Sequence, residues 1–140
     1  MSTLRYFLGA TLFCSLLISP APPAQAANTL VGHWVGFVVG TRYTADLVID
    51  NRGRYTELTK AGTLMTQRMG KWLILPNGLL RFTVTDWQPK QQCLPPSGCF
   101  PIRMPPGSAY QYRFTSSNAV LFTDVTFGKA AGTISYRRAP

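Results

Sequence analysis

From residue 27 onward, apolar and polar side chains recur with a period of two in short segments, and helical periodicity is almost absent. Such alternation turns one side of an extended chain toward a core and the other toward water. The clearest case is the run from Tyr43 to Asp50, where Tyr43, Ala45, Leu47 and Ile49 alternate with Thr44, Asp46, Val48 and Asp50. Gly, Pro and Asn punctuate the segments and predict eight strands, near 31–39, 43–50, 54–59, 63–75, 79–87, 108–114, 119–125 and 132–137. Asn51-Arg52-Gly53, Ala61-Gly62 and Pro76-Asn77-Gly78 read as tight turns, because Asn and Gly accept positive φ. Gly70, inside the fourth segment, suits a bulge that bends the sheet.

Sequential strands joined by short turns predict an all-β fold, an eight-stranded antiparallel up-and-down meander closed into a barrel with no free edge. A two-sheet sandwich is the alternative architecture. A barrel of this size either fills with its own side chains or holds one small ligand, and Tyr43, Leu47, Phe82, Tyr110 and Tyr112 are the candidate ligand-lining positions. The connection from 88 to 107 breaks the rhythm. It carries Pro89, Pro95, Pro96, Pro101, Pro105 and Pro106 with Cys93 and Cys99, which predicts a long, stiff, irregular loop. Its Phe100, Ile102 and Arg103 are candidates for an interaction surface, and folding back to plug the barrel's end is the competing use of the same apolar side chains.

The first 26 residues have a different character. Arg5 precedes the apolar stretch from Tyr6 to Ile18, and a Ser19-Pro20 break and Ala24-Gln25-Ala26 follow. Basic end, apolar centre and small-x-small site are the order of a secretory signal peptide, so residues 1–26 are expected to be removed and 27–140 to form one domain. The apolar stretch is far shorter than the roughly 20 residues that span a bilayer. An exported, periplasmic or secreted protein is therefore expected. The remaining length supports one core and not two.

Export changes how charge and cysteines are read. The chain has 14 Lys and Arg against 5 Asp and Glu, a formal net charge of +9. An exported protein rarely meets nucleic acid, so an anionic surface such as acidic lipid or polysaccharide is the better partner, with simple solubility as the other reading of scattered basic residues. Cys14 leaves with the signal, and Cys93 and Cys99 are expected to join in a disulfide in an oxidising compartment. His33 is the single histidine, so two thiolates make a poor zinc site, and neither metal nor cofactor is expected.

The segment Leu30-Val31-Gly32-His33-Trp34 resembles the Gly-x-Trp start of the calycin superfamily, the lipocalins, avidins and related barrels. The resemblance implies that Trp34 closes the barrel's base and that an arginine near the last strand, Arg137 or Arg138, lies over its ring. Thr85-Asp86-Trp87 and Thr123-Asp124-Val125 both look like the second lipocalin motif. The chain departs from typical lipocalins in its short first loop and in lacking a helix after the last strand. Val35, Gly36, Phe37 and Val38 stand where avidins carry polar residues, so biotin binding is not expected.

Catalytic chemistry is not apparent. His33 sits in the first strand, and Asp46, Asp50, Glu57, Asp86 and Asp124 are spread over several strands without paired spacing. Asp46 and Asp86 are read as solvent-facing, the inward placement being the alternative. Two functions follow for a non-enzyme. The first is a lipocalin-like binding protein for a small apolar or amphipathic, and potentially anionic, ligand. The second is an interaction module, such as a periplasmic enzyme inhibitor or a component of an envelope protein complex, acting through the 88–107 loop.

Overall fold

The structure, a computed structural model, describes residues 30–38 and 40–140; the expected signal peptide lies outside the described residues. Eight strands form the barrel: β1 (Gly32–Phe37), β2 (Tyr43–Ile49), β3 (Arg54–Ala61), β4 (Leu64–Ile74), β5 (Leu80–Gln88), β8 (Ser108–Ser116), β9 (Ala119–Asp124) and β10 (Gly132–Arg138). The two short strands β6 (Gln91–Leu94) and β7 (Gly98–Pro101) pair only with each other. Each barrel strand lies antiparallel to its neighbours in sequence, and β1 pairs with β10 to close the cylinder. The expected meander is therefore the observed fold, and the sandwich is not.

The period of two decides which side chains fill the interior. Ala45, Leu47 and Ile49 of β2 are buried, as are Leu80, Phe82 and Val84 of β5 and Val120 and Phe122 of β9. Aromatic rings stack across the cavity in a continuous group: Tyr55 on Phe82 at 4.5 Å between centroids, Phe82 on Tyr110 at 5.8 Å, Tyr110 on Phe122 at 5.6 Å and Phe122 on Tyr136 at 5.0 Å. Tilted and edge-on contacts of this kind add to the apolar burial itself. Gly70 marks the register shift in the β4–β5 pairing at Met69/Gly70. Beyond that bulge Arg68 stands opposite Trp87 at one end of the barrel.

The 88–107 connection differs from expectation in having regular structure. β6 and β7 form a small hairpin whose register places Cys93 opposite Cys99, and the disulfide joins them there. The proline-rich tetrapeptide Pro95-Pro96-Ser97-Gly98 acts as a turn rather than a breaker, with Gly98 at φ +91° supplying the reversal. This strap stands outside the barrel wall with Gln91 through Phe100 exposed.

Candidate functional site

The two ends of the barrel are chemically distinct. At the closed end Trp34 is fully buried and its Nε1 donates to the Leu30 carbonyl at 2.8 Å. The Arg138 guanidinium lies 4.4 Å from the centre of the Trp34 ring, and it donates to the carbonyls of Val31 and Ser117. Arg137, one position earlier and so on the other face, is exposed. Gly32 matters for this arrangement: a Cβ there would fall 2.5 Å from Arg138 Nη1, so the glycine two residues before the tryptophan leaves room for the guanidinium.

Just above the aromatic core, the interior becomes polar. Glu57 of β3 and Arg68 of β4 occupy opposite positions. Arg68 Nε donates to Glu57 Oε2 at 2.9 Å, and its Nη2 makes a second, closer bond to the same oxygen. The Tyr136 hydroxyl donates to Glu57 Oε1 at 3.3 Å from the far side of the barrel. Burial works to lower the Arg68 pKa, but the adjacent Glu57 charge and its hydrogen bonds raise it overall, so the guanidinium stays charged. Burial, and after it the Glu57 charge, pushes the Tyr43 hydroxyl up to about 12. The interior thus holds a compensated ion pair surrounded by neutral phenols.

Above this pair the barrel opens into a cavity of about 310 Å³. Tyr43, Thr59 and Thr66 line one side, Arg68 and Trp87 the floor and wall, and Ile102, Arg103 and Pro105 of the strap the rim. The strap is tied to the wall by Trp87 Nε1, which donates to the Ile102 carbonyl at 3.2 Å, and its two arms are held together by Ile102 N–H, which donates to the Lys90 carbonyl at 2.8 Å. Lys90 covers the outer Trp87 face, its Nζ 3.4 Å from the ring centre, and pairs with Asp86. A larger hollow of about 570 Å³ exists outside the sheet, lined by Gln111, Arg113, Thr123 and Thr133 among others. Side chains that face solvent along a strand surface form that groove, whereas the smaller one is where interior charge and aromatic faces converge.

The candidate ligand-lining residues separate in space. Leu47, Phe82 and Tyr110 point inward but belong to the packed aromatic core. Tyr112 is half-buried, edge-on to Phe114. Tyr43 alone of the five lines the mouth cavity, where it meets Ile102 and Arg103 from the strap. Phe100 lies on the hairpin, half exposed and away from the cavity. The two Thr-Asp motifs both lie at the open end: Asp86 pairs with Lys90, and Asp124 accepts from the Thr126 backbone at 2.8 Å to cap a turn. Asp46 is on the outer wall, bonded to His33 at 2.6 Å, so it takes the solvent-facing role.

Glu57, named above only as a carboxylate without paired spacing, Trp87, named only within a Thr-Asp motif, and Arg68 are site residues that the alternation does not point to. A usable signal existed: counting back from the Ala61-Gly62-Thr63-Leu64 turn, with Ala61 opposite Leu64, places Glu57 opposite Arg68. Among the described residues, no three of His, Cys, Asp and Glu come close enough to hold a metal ion. Comparison with models of known protein families finds no match for the chain. Comparison with curated proteins likewise finds none. What fold and site define is a class: a small closed antiparallel barrel, sealed by a tryptophan and arginine at one end and open at the other, compatible with a calycin-like binder.

Proposed function

We propose that the protein is an exported, non-catalytic binding protein that holds a small amphipathic anion in the barrel mouth. One observation carries the reading: aromatic faces from Tyr43 and Trp87 and two arginines, Arg68 and Arg103, converge on one cavity. Its volume is near the lower end of the range typical of small-molecule sites. Arg68 is already neutralised by Glu57, but Arg103 is exposed and has no ion-pair partner among the described residues. An acidic group on a ligand would meet Arg103, with Arg68 contributing its Nη1, whose bond to Ser108 is long at 3.4 Å. The apolar part of the ligand would lie against Tyr43, Trp87 and Ile102.

The test is titration of the protein with a panel of medium-chain and aryl carboxylates and their neutral amides, following tryptophan emission in the parent and in Trp87→Phe to isolate the Trp87 signal, together with native mass spectrometry of the protein recovered from an exporting cell. Carboxylates are expected to bind better than amides. Arg103→Gln should weaken the best carboxylate about 10-fold or more, the range of a lost charge-assisted hydrogen bond. Equal affinity for acid and amide, unchanged by Arg103→Gln, would overturn the reading.

The exposed strap supports a second reading, a non-catalytic interaction module such as an enzyme inhibitor or an envelope-complex component. Leu94, Phe100 and Met104 each remain about half exposed there. Under that reading, replacing Phe100, Ile102 and Arg103 abolishes capture of the partner while the barrel stays folded; survival of capture makes the strap structural only.

A further inference from the structure

Exposed apolar side chains are distributed unevenly over the molecule. An up-and-down barrel puts alternate connections at opposite ends. At the closed end the turns are Asp50-Asn51-Arg52-Gly53, Leu75-Pro76-Asn77-Gly78-Leu79 and Ser116-Ser117-Asn118-Ala119, which are short and mostly polar. At the open end Phe37 closes β1 and Leu64 and Met65 begin β4, all three exposed, and Phe127, which is 85% exposed, stands in the turn between β9 and β10. The strap, which leaves and rejoins the wall at this end, carries Leu94, Phe100 and Met104, each about half exposed. Among the exposed large apolar side chains of the described residues, Val35, Val48 and Leu73 alone stand elsewhere, on the outer wall.

Both ends of the barrel are basic, the closed end through Arg52, Arg54, Lys71, Arg81 and Arg137, so it is the combination of exposed apolar and basic side chains that sets the open end apart. The stretches 38–42, 61–64, 89–107 and 125–131 contain no Asp or Glu and carry Arg42, Lys90, Arg103 and Lys129, while the adjoining strand ends add Lys60, Asp124 and Asp86, the last paired with Lys90. Arg42, Lys60, Arg103 and Lys129 are exposed, and none has an ion-pair partner among the described residues.

We propose that this rim is a membrane-docking surface: the open end of the barrel seats on a bilayer rich in acidic phospholipid. Apolar side chains from separate strand ends and connections enter the headgroup region while the basic side chains between them meet lipid phosphates. Buried apolar area and electrostatic attraction add in such binding. The form of the surface favours lipid over a protein partner, because the apolar residues are scattered tips around an opening, not one flat patch with a polar border. The inference is independent of the cavity's ligand, and docking would stand even if the cavity held nothing.

The test uses the full chain as an expressing cell leaves it, in every arm, so that differences between variants report the rim. Phosphatidylcholine vesicles with and without phosphatidylglycerol are mixed with two single variants, Phe127→Trp and, at the closed end, Asn77→Trp. Measured against the parent protein, whose Trp34, Trp72 and Trp87 also emit, the expected result is an added blue shift from Phe127→Trp only, only with the acidic lipid, and reversed by high salt. Replacing Arg42 and Lys129 together by Gln should reduce vesicle partitioning about 25-fold, on the order of fivefold for each charge. Replacing Leu64 and Phe127 by Ser should also release the protein, and circular dichroism verifies that all variants remain folded. The proposal is overturned by any of three results: equal emission shifts at positions 127 and 77, partitioning indifferent to acidic lipid, or lipid-free self-association that Leu64→Ser and Phe127→Ser abolish.

Discussion

Arg68 reaches across from β4 to bond Glu57 directly opposite on β3, inside the barrel, where Glu57 is only 5% exposed. A carboxylate so placed is sustained by its partner, since an isolated charge at that depth faces a desolvation cost far larger than any packing gain. The pair also divides the interior into an aromatic base and an open mouth.

Arg68→Met is therefore expected to destabilise the fold by about 3–5 kcal/mol, because it strands Glu57. The double replacement Arg68→Met with Glu57→Leu should recover most of that loss, since an apolar pair of similar volume needs no compensation. Urea unfolding of the two variants beside the parent measures the difference. A double variant as unstable as the single one would show that the pair's own bonds hold the barrel together.

Alkaline pH should weaken the fold through its interior phenols. Burial raises Tyr43 and Tyr55 from an ordinary value of 10.0 to about 12, and burial followed by the Glu57 charge raises Tyr136 as well. The folded state thus keeps protons that the unfolded chain releases, so their contribution is intact below pH 10 and falls as pH rises through 12. The urea midpoint, with tyrosinate absorbance followed in parallel, is expected to decline over that window, and Tyr43→Phe should make the decline shallower.

Gly70 permits the bulge because of what lies beside it. A Cβ there would come 1.8 Å from the Thr83 carbonyl oxygen, a backbone atom that cannot turn aside. Gly70→Ala is expected to cost roughly 2–4 kcal/mol. Gly132→Ala, where a Cβ meets nothing within 4 Å, should stay within about 0.5 kcal/mol of the parent. Thermal denaturation of both separates close packing at Gly70 from the general effect of losing a glycine.

The disulfide belongs to the strap and not to the core. Cys93 and Cys99 both stand exposed on a hairpin that pairs with no barrel strand. Reduction is expected to remove hydrogen-exchange protection from Gln91–Leu94 and Gly98–Pro101 while changing barrel stability by no more than about 0.5 kcal/mol. A large fall in the barrel's unfolding midpoint on reduction would mean that the strap is clamped to the wall more firmly than Trp87 and Ile102 alone hold it.

Much of the fold was legible in local pattern. The alternation in β2 fixed its inward face, Gly70 announced the bulge, and the Asn-Gly turns delimited the hairpins. The candidate site was harder to see because it depends on side chains that break the apolar pattern. In β3 the inward positions are Tyr55, Glu57 and Thr59, and the outward ones include Leu58, so hydrophobicity alone sends Glu57 to the surface. Depth along the barrel was also invisible. Leu47 and Tyr43 share a face of β2, yet one is sealed in the core and the other lines the mouth. The same lack of depth information left Arg137 and Arg138 equivalent until the β1–β10 register set one outside and one over Trp34.

The pairing of Trp34 with Arg138 has a further consequence, one of topology. With Ala139 N–H bonded to the His33 carbonyl at 2.9 Å, the first and last strands meet edge to edge, and the wall is a ring that the chain happens to enter and leave at one seam. A circular permutant joined across that seam and reopened between Asn77 and Gly78 would keep every strand neighbour. Its new ends would emerge from the sealed side, leaving the mouth unobstructed for whatever it meets.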